Sequence, residues 1–193
     1  MEPNMFCYQC QETAKGTGCI LKGVCGKESH TAQAMDLLLF VVRGVSVVAD
    51  VLRKADCPVS EEVNIFVTDA LFCTITNANF DDESILKRVD KGITMRNGLI
   101  QEAKHNKVLL PKVDELTWQG TRDDYAGKAK TVGVLHEQNE DLRSLKELLV
   151  YGLKGMAAYL EHVMRLGFND DTVHVFMQRA LATIAVESLS AEE

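Results

Sequence analysis

Four cysteines stand within the first 25 residues, Cys7, Cys10, Cys19 and Cys25, in the spacing C-x2-C-x8-C-x5-C. A C-x2-C pair lets two thiolates reach one metal centre from a single tight turn, and two more cysteines close by can complete a four-thiolate shell without help from the rest of the chain. Three chemistries compete for these thiols. A disulfide framework suits a small secreted chain, but MEPNMFCYQC has no basic stretch followed by an apolar one. Structural zinc takes four cysteines, usually as short knuckles on both sides, whereas the second half here is C-x5-C. An iron–sulfur cluster is larger than one ion and accepts wider, less regular spacing, so it leads on the residues alone.

The intervening residues are compatible with a cluster. Gly16, Gly18, Gly23 and Gly26 allow backbone N–H groups to approach sulfur closely, and Lys15, Lys22 and Lys27 are expected to set positive charge beside a net-negative thiolate centre. Cys57, before Pro58 in a turn, and Cys73, inside the apolar run Ala70-Leu71-Phe72-Cys73, read as inert thiols. The five histidines, His30, His105, His136, His162 and His174, show no ligand spacing and read as surface or helix-flank residues.

The run Met5-Phe6-Cys7-Tyr8-Gln9-Cys10-Gln11-Glu12-Thr13-Ala14-Lys15-Gly16-Thr17-Gly18-Cys19, followed by Lys22-Gly23-Val24-Cys25-Gly26-Lys27, resembles the opening of the hybrid cluster proteins, also called prismane proteins or hydroxylamine reductases. Thr74 to Asp82, Lys128 to Gly133 and Asn139 to Leu145 are similar to that family in the same order. The resemblance implies that Cys7, Cys10, Cys19 and Cys25 bind a [4Fe–4S] cubane, and that Met5 matches the family start. It also implies an oxidoreductase that reduces hydroxylamine to ammonia, or nitric oxide, at a hybrid Fe–S–O cluster held by histidine, glutamate and cysteine in later domains. None of those later motifs occurs in this chain, so no catalytic residue is assigned and the chain alone is expected to be inactive. The implied partners are a redox protein as electron donor and the remaining domains of the longer protein. The alternative functions are a stand-alone ferredoxin-like carrier and a helical binding module stabilised by zinc on the four cysteines.

Composition bounds the rest. With 193 residues, 46% hydrophobic and 25% charged, the chain has the make-up of a globular domain with a real core. A net charge of −7 argues against nucleic acid or an anionic membrane as partner, and no apolar run reaches the ~18 residues of a membrane span. Cytoplasm is the expected location.

The elements that must carry the cysteine loop read as helices, giving an all-α fold. Expected helices are Asp36 to Leu52, with Asp36, Arg43 and Asp50 as one polar seam; Ser60 to about Asn77, capped by Ser60; and Asp81 to about Asn106, capped by Asp81. Leu109 to Thr121 reads as a loop with Trp118 as a packing anchor, followed by a short helix from Asp123 to Val132 and long ones from Asp141 to Leu166 and Asp170 to Leu189.

Two of these look like copies. Asp36-Leu37-Leu38-Leu39-Phe40-Val41-Val42-Arg43-Gly44 matches Glu147-Leu148-Leu149-Val150-Tyr151-Gly152-Leu153-Lys154-Gly155, and Phe66, Ala70, Leu71 and Ile75 find counterparts in Phe176, Ala180, Leu181 and Ile184. The implied organisation is a four-cysteine iron–sulfur loop (1–30), a first three-helix unit (31–107), a linker (108–122) and a second, truncated unit (123–193). Ser190 with Glu193 forms a capping-box pattern where the copy of the third helix should open, so the chain reads as an N-terminal piece of a longer protein. The missing helix is expected to leave Leu149, Leu153, Val173, Met177, Leu181 and Ile184 uncovered and to favour self-association.

Overall fold

A computed structural model describes residues 5–76 and 79–185. Among them the chain is all-α: helices α1 (Ser29–Lys54), α2 (Glu61–Ile75), α3 (Asp82–His105), α4 (Asp114–Thr117), α5 (Tyr125–Ala129), α6 (Glu140–Arg165) and α7 (Asp171–Ile184). Residues 77 and 186–189, in the expected ends of the second and last helices, and the capping-box residues Ser190 and Glu193 lie outside the described residues.

Helix α1 is the axis of the molecule. Val41, Val42, Val45, Val47 and Val48 prefer strands by rotamer freedom, yet they lie in a helix buried on nearly every side, where tertiary packing outweighs propensity. It begins at Ser29, earlier than the expected Asp36, because Thr31, Ala32, Ala34 and Met35 are also buried. The polar seam holds: Asp36 and Asp50 are buried, and Arg43 pairs with Glu115 at 3.2 Å.

The helix starts follow the side chains. Asp81 accepts from the Ser84 amide at 3.1 Å, Asn139 from Asp141 and Leu142, and Asp170 from Thr172, each satisfying amides that the first turn leaves open. Ser60 occupies the N-cap position but makes no side-chain cap bond. Three helices end in the same paired backbone bonds. Asp56 and Cys57 donate to Arg53 and Leu52, Lys107 and Val108 to Lys104 and Ala103, and Gly167 and Phe168 to Met164 and Val163. The residue at the left-handed position is glycine only in the last of these, with Asp56 at φ 55° and Lys107 at φ 57°.

The expected loop before Thr121 contains a helix, α4, because Arg96 stretches from α3 and donates to Glu115 O and Trp118 O, both at 2.8 Å. The expected helix from Asp123 to Val132 is instead a 3-10 turn at Arg122–Asp124 followed by α5. Trp118 is the anchor anticipated, edge-on to Phe40 and tilted against Tyr125 with both centroid separations 5.9 Å.

The helices of the two sequence copies pack across one another. Helix α1 lies against α3 and α7, and α2 lies chiefly against α6. Exchanging the copies maps the α1–α7 contact onto the α6–α2 contact, the relation expected of a two-fold repeat. The apolar face of α6 and α7 expected to be uncovered is therefore covered. Leu153, Met177, Leu181 and Ile184 are buried, and Leu149 and Val173 partly so. The exposed apolar residues of this region are others, Leu148, Tyr159, Leu166, Phe168 and Phe176 among them.

Candidate metal centre

The cysteine loop closes on its own backbone. Cys7 and Cys19 form an antiparallel bridge, with N–H to O distances of 3.0 and 2.9 Å in the two directions. Between them the chain turns at Cys10, whose carbonyl accepts the Thr13 amide at 3.3 Å, and passes through a 3-10 turn at Ala14–Gly16 with Lys15 and Gly16 at positive φ. Gly18 sits at φ 113° beneath Phe6, where a Cβ would lie 2.5 Å from the ring. Glycine is required there on both counts. A second turn, Gly26 N–H to Gly23 O at 2.8 Å, presents Cys25, and a Cβ on Gly23 would lie 3.1 Å from the Cys25 sulfur. Of the four loop glycines, Gly23 is the one whose bareness makes room beside a cysteine sulfur.

All six cysteines are free thiols. Cys19 Sγ accepts the Ala14 amide at 3.4 Å and lies 3.8 Å from the Thr13 hydroxyl. Burial raises its pKa, but the Val24 and Ala14 amides and the Thr13 hydroxyl outweigh that effect, and the net shift is downward, toward the thiolate that binds metal. Cys7 goes the other way: burial pushes its thiol up to about 11, against a backbone hydrogen bond from Gln9. A metal binding Cys7 has to displace that proton. Cys73 is buried well away in sequence and accepts a bond from the Asn79 amide at 3.0 Å, and Cys57 lies in the turn after α1, as inert thiols would.

Gln9 is the joint between the loop and the helices. Its side-chain amide donates to Asp36 on α1, while its carbonyl and side-chain oxygen both accept from the Lys154 ammonium on α6, the carbonyl at 3.3 Å. All three residues are buried. Asp36 and Lys154, with Arg43 and Glu147 nearby, are the acid and base positions of the two sequence copies, and of the four Asp36 and Lys154 are the buried pair that acts on Cys7. Burial pushes the Asp36 carboxyl up to about 7 and the Lys154 ammonium down to about 8. The Arg43 and Glu147 side lines a separate cavity of about 330 Å³ with Arg143 and Lys146, not at the cysteines.

The loop lysines need correction. Lys27 is buried and turned away, donating to Thr76 O at 3.2 Å and lying 5.0 Å over Phe80, and Lys22 pairs with Glu28 at 2.7 Å. The buried cation whose charge falls on Cys7 and Cys10 is Lys154. Sequence reading missed it, although its register with Arg43 in the repeat was a signal. His174 is also corrected: it is buried, with Thr68 at 3.3 Å and Asn169 at 2.7 Å from its two nitrogens.

Among the described residues, no three His, Cys, Asp or Glu side chains converge as ligands of a single metal ion would. The donor set that exists is four thiols on one loop, with amide and hydroxyl groups on the Cys19 sulfur, and this set fits a larger thiolate-bound cluster.

Fold and loop together define an all-helical domain topped by a four-cysteine segment. The chain belongs to the Prismane/CO dehydrogenase family, whose profile matches residues 5–192. The hydroxylamine reductase of Bacteroides thetaiotaomicron is 52% identical over 191 residues, covering 98% of this chain and 34% of that protein. Those of Porphyromonas gingivalis and Desulfitobacterium hafniense are 47% and 45% identical, over 100% and 98% of this chain and 35% of each relative. The chain thus spans about a third of the length of the curated relatives it matches. In the helical domain itself, no helix among the described residues is long and apolar enough to cross a membrane.

Proposed function

We propose that this chain is the electron-transfer part of a hydroxylamine-reducing oxidoreductase, with Cys7, Cys10, Cys19 and Cys25 as ligands of a [4Fe–4S] cubane. The observation that supports this reading is the loop itself: four free thiols within 19 residues of chain, with a Cys7–Cys19 backbone bridge, two tight turns and the Gln9 anchor holding the loop. When bound, such a cluster accepts and passes one electron at a time. The protein's own contributions are to hold the sulfurs, to point the Ala14 amide at Cys19, and to seat the loop on α1 and α6. Converting hydroxylamine to ammonia and water takes two electrons and two protons, and nitric oxide is the second candidate substrate. We assign that chemistry to the length that the relatives have beyond the matched third, and the cubane would pass single electrons toward it from a redox protein that acts as donor. The second reading is a structural zinc ion on the same four cysteines, although C-x5-C departs from the short knuckles that zinc usually takes on both sides.

The test is metal content. Protein prepared without oxygen, or reconstituted with iron and sulfide, should carry the two in equal amounts and show thiolate-to-iron absorption that bleaches on reduction. Cys19→Ser should abolish or strongly weaken this, and Cys73→Ser should not. Zinc without sulfide, or unchanged iron in Cys19→Ser, contradicts the assignment. The loaded chain should exchange electrons with an artificial donor yet fail to turn over hydroxylamine; ammonia production proportional to its concentration would place the chemistry here instead.

A further inference from the structure

We infer that Lys154, acting with Asp36 through Gln9, is a positioning and potential-setting residue for the centre held by the cysteine loop. The inference rests on the cluster reading above. A lysine this deeply buried is costly unless its charge is met, and replacing buried ions by apolar residues is often neutral or stabilising. Yet the ammonium's hydrogen bonds go to the neutral oxygens of Gln9, and among the described residues no carboxylate lies within 4 Å of it. Asp36 and Glu147 are close enough to feel its charge but do not neutralise it by contact.

What the ammonium does face is the Cys7-x2-Cys10 turn. It holds that turn by the Gln9 carbonyl, midway between two ligands, and its charge acts on both of their sulfurs. A four-thiolate cubane is net negative, and taking up one electron adds a further unit of negative charge. A fixed cation in a poorly screened interior stabilises the reduced form more than the oxidised one and so raises the reduction potential. Asp36, on the other side of Gln9, acts with the opposite sign. Of the loop's own lysines, Lys22 is paired with Glu28, Lys27 is turned toward Thr76, and Lys15 is exposed, where solvent screens its charge.

The experiment is a redox titration of the cluster-loaded chain with dithionite at a single pH near 7.5, read by visible absorption and electron paramagnetic resonance, alongside iron and sulfide analysis. Lys154→Met and Lys154→Gln remove the charge, the second keeping a hydrogen-bond donor for Gln9, and Lys154→Arg keeps it. At the potential where half the unsubstituted protein is reduced, the reduced-to-oxidised ratio should fall by about tenfold in the neutral variants, 59 mV for a one-electron couple, and Lys154→Arg should restore most of it. A neutral variant that keeps its cluster at the unsubstituted potential overturns the inference and leaves the cubane reading intact. If both neutral variants lose the cluster, Asp36→Asn decides, since it should raise the potential and an unchanged value overturns the inference. If the unsubstituted chain takes up no iron and sulfide, the cubane reading falls and takes this inference with it.

Discussion

Lys154 and Gln9 stand 145 residues apart in the chain and meet in the interior, the ammonium of one donating to both the carbonyl and the side-chain oxygen of the other. This contact ties the cysteine loop to the second sequence copy, and Gln9 passes the tie on to Asp36 in the first. Gln9→Leu keeps the volume but leaves an ammonium and a carboxyl facing an apolar side chain. Each buried polar group so stranded costs about 1–3 kcal/mol, and the midpoint of denaturant unfolding should fall accordingly. An unchanged midpoint would mean that solvent reaches this joint.

Asp36 makes stability depend on pH in an unusual direction. Burial first, opposed by the Gln9 amide, pushes its carboxyl from 3.8 to about 7. Across that window the folded state keeps a proton that the unfolded chain has released, so this group's contribution to stability declines as pH rises from 4 to 7. Asp36→Asn has no such proton to lose and should gain on the unsubstituted protein by at least ~1 kcal/mol over the same range. Urea titrations of the metal-free chain at several pH values read this directly, and a difference that stays flat with pH would show that Asp36 is ionised throughout.

The repeat-related glycines should respond oppositely to the same substitution. A Cβ on Gly44 would lie 2.6 Å from the Glu115 carbonyl oxygen and 3.1 Å from Arg96 Cδ, so Gly44→Ala must push α4 off α1. A cost of about 1–3 kcal/mol is expected. Gly155, its counterpart on α6, has nothing within 4 Å, and Gly155→Ala should stabilise by ~0.5–1 kcal/mol through helix propensity alone. Equal melting temperatures for the two variants would refute the contrast.

The outward apolar residues of α6, α7 and the turn between them predict association. Leu148, Tyr159, Leu166 and Phe168 are each at least two-thirds exposed, and association would bury them. Sedimentation should report a mass that rises with concentration, and Leu148→Glu with Tyr159→Glu should suppress the rise. A strict monomer at every concentration would count against it.

The helical periodicity carried most of the architecture because it is local, apolar faces repeating within a helix, and the cysteine spacing marks its loop for the same reason. What escaped sequence reading depends on distant partners. Apart from its register with Arg43 in the repeat, Lys154 looks like the solvated lysines of an amphipathic helix until Gln9 is beside it, and α4 exists because Arg96 holds its carbonyl groups from α3. Asp56 and Lys107 terminate helices at a position where glycine is the usual signal, yet both helices end within two residues of the expected Leu52 and Asn106. The uncovered face was misjudged because the copies were read as separate units, whereas α2 and α1 cross over to cover α6 and α7.

The separation of Gln9 from Lys154 also has a meaning in time. A ribosome adding about 5–20 residues per second delivers the cysteine segment first and its helical anchor on the order of ten seconds later. Through that interval the nascent thiols emerge without the buttress that seats them. On the proposed cluster reading, insertion of the centre would follow synthesis of α6, and the newborn segment would be most open to oxidation before that helix arrives.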